Sequence, residues 1–394
     1  MASITEPEPP RLDHQLLQPH AVWRRARHET PVLEAPDPVV PGRRTFMVFR
    51  HADGEAVIRD AETFSSAIHH EMRGPVMGET LVGMDGDEHR HYRELVAKAF
   101  RPSALAKWED ELIAPAIGRV LDDIAPLGRA DLVRDVTARY PVQVIARIVG
   151  VPVEDYDRFQ RWADDITGVA VRPNEARASS REMWDYLLPV VEDRRAHPRD
   201  DLVSDLATAE IDGERLSNDR IISFLRLLLP AGAETTFRAL GNCLVALLTR
   251  PDALARVAAD RSLIVPAVEE TLRWETSVTI LTRVATRDTE VAGVAIPAGA
   301  AVMVMTASAN HDEARCDDPD GWNLDRPSQI HLYFGTGRHQ CLGMHLARLE
   351  MRVGLNAILD RLPNLRLDPD AAVPTIEGFA FRSPDAIPVV FTPS

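Results

Sequence analysis

The stretch from Ser217 to Arg250 constrains this chain more than any other, because it reads as one long helix that is apolar on most of its surface. Ser217 suits an N-cap, Asp219 follows in the first turn, and Leu216 can staple against Ile221. Apolar residues recur with helical spacing at Ile221, Ile222, Leu225, Leu228 and Leu229, and resume at Leu240, Leu244, Leu247 and Leu248. A helix with both sets is long and heavily buried. It is not a membrane span, since the strongly apolar part, Ile221 to Ala233, is broken by Arg226 and falls short of the ~20 residues a bilayer requires.

Helical periodicity dominates from His89 to Arg250 and again from Leu342 to Leu362, while alternating patterning is confined to Thr45 to Phe49 and Val291 to Val304. The expected class is mainly α with small β-sheets. No linker-like stretch divides the 394 residues after about residue 12, so the expectation is a flexible Pro-rich leader over 1–12 and a single domain over 13–394. With 45 Lys and Arg against 60 Asp and Glu, the net charge of −15 argues against nucleic acid as the main partner. Three cysteines, Cys243, Cys316 and Cys341, cannot form a disulfide framework and suit a reducing compartment. The amino terminus lacks a signal-peptide pattern, so a soluble cytoplasmic monomer is expected.

Two segments break local rules. In Pro230-Ala231-Gly232-Ala233-Glu234-Thr235-Thr236, a proline, a glycine and an acid-hydroxyl pair interrupt the buried helix, which fits either a tolerated kink or a site. In Phe334-Gly335-Thr336-Gly337-Arg338-His339-Gln340-Cys341-Leu342-Gly343, three glycines permit close backbone approach, and Cys341 falls where Leu342, Leu346, Leu349 and Val353 begin a helical stripe. At a helix N-terminus the dipole and free N–H groups favour a thiolate. The loop fails as a dinucleotide fingerprint because Gln340 occupies the third glycine position. Read alone, it still leaves open a small buried cysteine, a nucleophile with His339 nearby, and a thiolate ligand to a haem iron.

The loop matches in full the pattern Phe-x-x-Gly-x-x-x-Cys-x-Gly, by which the chain resembles the cytochrome P450 family of haem-thiolate monooxygenases. Ala231 to Thr236 matches the family's distal-helix pattern, and Glu270-Thr271-Leu272-Arg273 its Glu-x-x-Arg pattern, in the expected order. The resemblance spans about Leu16 to Phe391 and implies heme b between the long distal helix and the helix after the cysteine loop, with Cys341 as axial iron ligand. It implies a buried network of Glu270, Arg273 and Arg326 behind the cysteine loop. His89, Arg93, Arg283 and His339 are implied to hold the haem propionates, and Ala231, Phe334 and Gly343 to lie against the ring. Glu234 and Thr235 are implied to deliver protons, with carbonyls left free by the kink at Pro230 and Gly232 holding water.

The implied reaction uses O2 and electrons from a separate ferredoxin with its NAD(P)H-dependent reductase, since no fused reductase region is evident. An acidic donor would dock on a basic patch, for which Arg338, Arg348, Arg352, Lys98 and Arg101 are candidates. Family pocket positions fall at Ile68, Met72, Met77, Ile166, Val169, Ala231, Thr235, Val278, Ile280 and Phe379, implying a hydrophobic substrate of the steroid, terpenoid, fatty-acid or aromatic kind. A loose likeness to actinobacterial lipid- and sterol-oxidising members accompanies it. Where relatives read Ala-Asn-Arg-Asp, this chain has Ala309-Asn310-His311-Asp312. The rival readings are a non-catalytic haem-thiolate carrier or sensor and an NADH-driven nitric-oxide reductase, and the Glu234-Thr235 pair counts against both.

Overall fold

In a computed structural model, the described residues are 17–394 apart from 38, 39, 41, 151, 153, 154, 171 and 212. The stretch 1–12, read as a leader, lies outside them. The long helix runs over Asn218–Leu248, and the Ser217 hydroxyl accepts from the Arg220 N–H at 3.2 Å as the N-cap. It stays helical through Pro230 and is the axis about which the molecule packs. The helices Tyr140–Val149, Tyr156–Thr167, Pro173–Ala196, Ile264–Trp274 and Met344–Arg361 all lie against it. Gly232 has a specific reason: a Cβ there would come within 2.5 Å of Ile145 Cδ1, so only glycine lets the helix Tyr140–Val149 cross this closely.

The largest sheet has five strands in the order Val32–Pro36, Arg44–Val48, Ala301–Met305, Ile280–Ala285 and Phe64–Ser65. Ala301–Met305 and Arg44–Val48 pair in parallel and the other neighbours are antiparallel. The alternating stretch expected from Val291 to Val304 is divided. Val294–Ile296 folds back on Thr289–Val291 as a hairpin, Gly299 turns the chain at φ +82°, and only Ala301–Met305 joins the five-stranded sheet. The mainly α class with small sheets is as expected from periodicity.

Behind the cysteine loop, Glu270 and Arg273 form a two-toothed pair, with Arg273 Nε donating to Glu270 Oε2 at 2.9 Å and Nη2 to Oε1 at 2.8 Å. Arg326 Nε and the Asn323 N–H both donate to Glu270 Oε1 at 2.9 Å. The remaining guanidinium protons go to carbonyls: Arg273 to Asn310, Pro319 and Gly321, and Arg326 to Asp317, Asp318 and Gly321. Cys316 Sγ accepts from Arg326 at 2.9 Å, which gives this buried thiol a structural place. His311, at the departure from the family pattern, is buried, with Nε2 2.7 Å from the Trp274 carbonyl and Nδ1 2.9 Å from Asp320. The exchange of arginine for histidine therefore leaves this corner bonded.

Candidate active site

Cys341 sits ahead of the helix that the pattern placed it on. The helix begins at Met344 with Gly343 as its cap, while the Cys341 N–H donates to the Phe334 carbonyl at 2.9 Å. The thiolate expectation changes accordingly: burial pushes the thiol pKa up, and the Gly343 N–H, Arg93 and Arg348 only partly oppose it. The residue is nevertheless exposed by area. A sulfur that is desolvated yet open on one side lines a recess. Binding a metal cation would remove its proton, as coordination does for thiols generally.

The loop is shaped for that recess. Gly335 and Gly337 have φ of +63° and +70°, conformations that side chains oppose. A Cβ on Gly343 would meet nothing within 4 Å, so this glycine borders open space. Phe334 is buried beneath the loop with the Arg348 guanidinium 4.4 Å from its ring centre. Tyr333 was not singled out from the sequence. Its hydroxyl lies 2.6 Å from Ser277 Oγ and 3.5 Å from the Thr235 carbonyl, so one side chain spans from the cysteine loop to the central helix.

On that helix Ala231 is exposed and Thr235 half-buried, although most residues around them are buried. These two positions, one turn apart, face the opening. The Thr235 hydroxyl donates to the Ala231 carbonyl at 2.7 Å, so this carbonyl is occupied by the threonine itself and not left free by a kink. Glu234 is buried, accepts from Arg238 Nη2 at 3.0 Å, and lies beside the Asp164 carboxyl. Burial first, and then Asp164, raise its pKa to about 7 against the pull of Arg238. Asp164 is exposed, so the pair connects a buried acid to solvent. No sequence pattern flagged Asp164, because it comes from another helix.

The four bases expected at the propionates do gather. The His89 and His339 rings stack with centres 4.1 Å apart, and His339 Nε2 lies 3.2 Å from Asp85 Oδ1. Arg93 donates to the Gln340 carbonyl at 2.7 Å, and Arg283 to the Thr282 carbonyl at 2.8 Å. His89 Nε2 and Arg283 Nε are buried without a hydrogen-bond partner. Burial, followed by the fields of His339 and Arg93, lowers the His89 pKa to about 4. Unsatisfied donors held beside arginines in a polar cluster are costly unless an anion completes them. A thiol recess, an open glycine and orphaned bases together fit a haem held through iron and two carboxylates.

Of the expected pocket residues, Met72, Val169, Val278, Ile280 and Phe379 are partly exposed, whereas Ile68 is buried and Met77 and Ile166 are buried in the main core, so these three are unavailable to a ligand. The expected basic patch is also thinner than its sequence. Arg348 is bonded to Glu269 at 2.6 Å and Arg352 to Glu109 at 2.7 Å, while Arg338 remains exposed. Among the described residues no helix is long and apolar enough to cross a membrane.

A family model described as Cytochrome P450 matches residues 258–386. The putative cytochrome P450 123 of Mycobacterium tuberculosis is 35% identical over 92% of this chain and 92% of its own. A steroid C26-monooxygenase of the same organism is 36% identical, covering 88% of this chain and 91% of its own. Among solved structures, cytochrome P450 CYP109Q5 from Chondromyces apiculatus matches with a TM-score of 0.88 at 35% identity, covering 97% of each chain. CYP109E1 from Bacillus megaterium in complex with testosterone matches with a TM-score of 0.86 at 30% identity, covering 95% of this chain and 99% of that one.

Proposed function

The chain belongs to the cytochrome P450 family, and on that premise we propose that it hydroxylates a hydrophobic small molecule with electrons from a separate ferredoxin and its NAD(P)H-dependent reductase. The balance is one O2, two electrons and two protons per substrate, giving one hydroxylated product and one water. A thiolate-ligated haem supplies the activation and cleavage of dioxygen. The observation that carries the reading is the exposed Cys341 on a loop whose neighbouring Tyr333 reaches the Thr235 carbonyl of the central helix, one turn from the exposed Ala231.

Each residue then has a task. Cys341 Sγ is the iron ligand, shielded by Phe334 and bordered by Gly343. Arg93 and Arg283 supply the charge for the carboxylates, and His89 and His339 supply directional donors. Ala231 offers a small surface on the opposite wall. The Thr235 hydroxyl, donating to the Ala231 carbonyl, presents its lone pairs to the opening, where they accept from a water. Glu234 takes protons from solvent through Asp164 and releases them inward, and a pKa of about 7 suits both directions.

That pKa gives a pH dependence with a definite sign. The folded-state value of about 7 lies above the ordinary 4.5, so the neutral acid persists to near neutrality and the carboxylate forms above it. The stability contributed by the neutral form is whole below about 4.5 and is lost as the pH passes through about 7. Product formed per reductant consumed is expected to fall as the pH rises through that range, and Glu234→Gln to lower coupling and flatten the profile. An unchanged profile in the variant would assign the titration elsewhere.

Arg338 is the exposed cation of the loop, free of the ion pairs that neutralise Arg348 and Arg352, which supports it as a docking contact. Arg338→Glu is expected to slow reduction by an acidic ferredoxin about tenfold at low salt while sparing peroxide-driven turnover. Equal loss in both assays would remove it from the docking face. The reaction class is tested by turnover under ¹⁸O2, with one labelled oxygen expected in the product. Substrate binding without labelled product would favour a haem-thiolate carrier.

A further inference from the structure

The helix Ile68–Met77 packs on the strand Ile280–Ala285 and on the central helix, and its inner face holds Ile68, His69, Met72, Arg73 and Val76. His69 and Arg73 lie one turn apart on it. The His69 ring is bonded to the Thr282 backbone, lies within the fields of Arg73, Arg283 and His339, and leaves its Nδ1 buried without a partner. Arg73 has neither a hydrogen bond nor an ion pair among the described residues. Protein encloses it closely enough that burial alone lowers its pKa, yet its guanidinium nitrogens are not among the sealed, unpartnered atoms. It is therefore a cation half withdrawn from water.

A charge count sets it apart. A haem carries two propionates, and Arg93 and Arg283 supply two guanidinium groups for them. Burial keeps His69 and His89 neutral, with pKa values of about 3 and about 4. Asp85, the carboxylate of this cluster, is taken up by His339, Ser65 and Ser66. His69 lies within the fields of both Arg73 and Arg283, which sets Arg73 beside the propionate cluster as a third guanidinium. A third guanidinium, desolvated and unmatched, calls for a third anion. Its neighbour on the helix is Met72, the partly exposed one of the three residues expected there to wall the substrate pocket, Ile68 and Met77 being buried.

We propose that Arg73 anchors a carboxylate on the substrate, which makes the substrate an amphipathic acid whose apolar body lies against Met72. The assignment rests on the monooxygenase reading and deepens it by naming the polar end of the ligand. A carboxylate fits the planar guanidinium with two parallel hydrogen bonds, and an ester offers a weaker, uncharged acceptor.

The test is a titration of the haem-loaded enzyme, followed by equilibrium dialysis and the absorption change on binding. The probes are hexadecanoic acid and cholanoic acid, each against its methyl ester. At least one acid is expected to bind about tenfold or more tightly than its ester, as a charge-assisted bond allows. Arg73→Met should bring that acid to the level of the ester and leave the ester unchanged, and Arg73→Lys should restore part of the preference. No acid preference in either pair, or a preference that survives in Arg73→Met, would overturn the proposal. Faster haem transfer to apomyoglobin in Arg73→Met, with the acid preference intact, would overturn it too and assign Arg73 to the cofactor. Failure of the monooxygenase reading is seen separately, as protein that takes up no thiolate-ligated haem.

Discussion

Glu270→Ala is expected to yield protein that holds little haem and unfolds readily, rather than a slow enzyme. Glu270 Oε1 alone accepts from Arg273, Arg326 and the Asn323 backbone. Removing the carboxylate leaves two buried guanidinium groups with only carbonyls and a thiol around them. Stripping one partner from such a set costs ~3–5 kcal/mol, a large part of the ~5–15 kcal/mol that holds a typical protein folded. Because Asn323 and Arg326 lie in the segment leading to the cysteine loop, the damage is expected to reach Cys341 through that segment. Haem content per polypeptide and the thermal midpoint measure it. Normal values for both would show that the network is dispensable. Glu270→Gln should recover part of the loss, since it keeps an acceptor for Arg326.

Thr235→Ala is expected to behave in the opposite way, with haem content and folding unchanged and chemistry misdirected. The hydroxyl bonds only the Ala231 carbonyl of its own helix, an arrangement whose loss an exposed turn tolerates. On the proposed mechanism, what disappears is the hydroxyl that relays a proton beside the Ala231 carbonyl. General acid contributions of this kind are worth ~10²–10⁴-fold in rate. Reductant consumption should continue, peroxide should accumulate, and product per reductant should fall about tenfold or more. Thr235→Ser should restore most of the coupling, because the hydroxyl and not the methyl group carries the role. Wild-type coupling in Thr235→Ala would end the proton-transfer assignment for this residue.

The contrast between the two variants follows from what each residue touches, and the sequence shows these contacts unequally. Glu270, Arg273 and Arg326 could be read together because the motif resemblance ties them. The carbonyls of Asn310, Pro319 and Gly321 that complete Arg273 belong to a loop with no pattern of its own. Periodicity carried the helical class, since a 3.6-residue repeat survives whatever packs against it. It misplaced the start of the helix after Cys341, because Leu342 continues the apolar stripe while Gly343 caps the helix. It also merged Val291 to Val304 into one stretch, although the turn at Gly299 sends the two halves to different sheets.

The site shows the same division. Cys341, His89, Arg93, Arg283 and His339 could be named in advance because the family motifs tie these distant segments together, and the structure brings the four bases close to one another. Contacts between distant helices were not legible. Asp164 reaches Glu234 from the helix Tyr156–Thr167, and Tyr333 reaches Ser277 and the Thr235 carbonyl across the molecule. Charge misled where pairing decides the outcome. Arg348 and Arg352 count as basic in the sequence, but Glu269 and Glu109 neutralise them in the fold. Arg73 is the converse case, an ordinary arginine by sequence that has no counter-charge among the described residues.

The central claim is that Cys341 ligates a haem iron through its thiolate, and the carbon monoxide difference spectrum of the reduced protein tests it most directly. The account predicts the strongly red-shifted Soret band of a thiolate-ligated haem–CO complex, lost in Cys341→Ser and retained in Thr235→Ala and Arg338→Glu. A histidine-type band, a thiolate-type band that persists in Cys341→Ser, or protein that takes up no haem at all would contradict it.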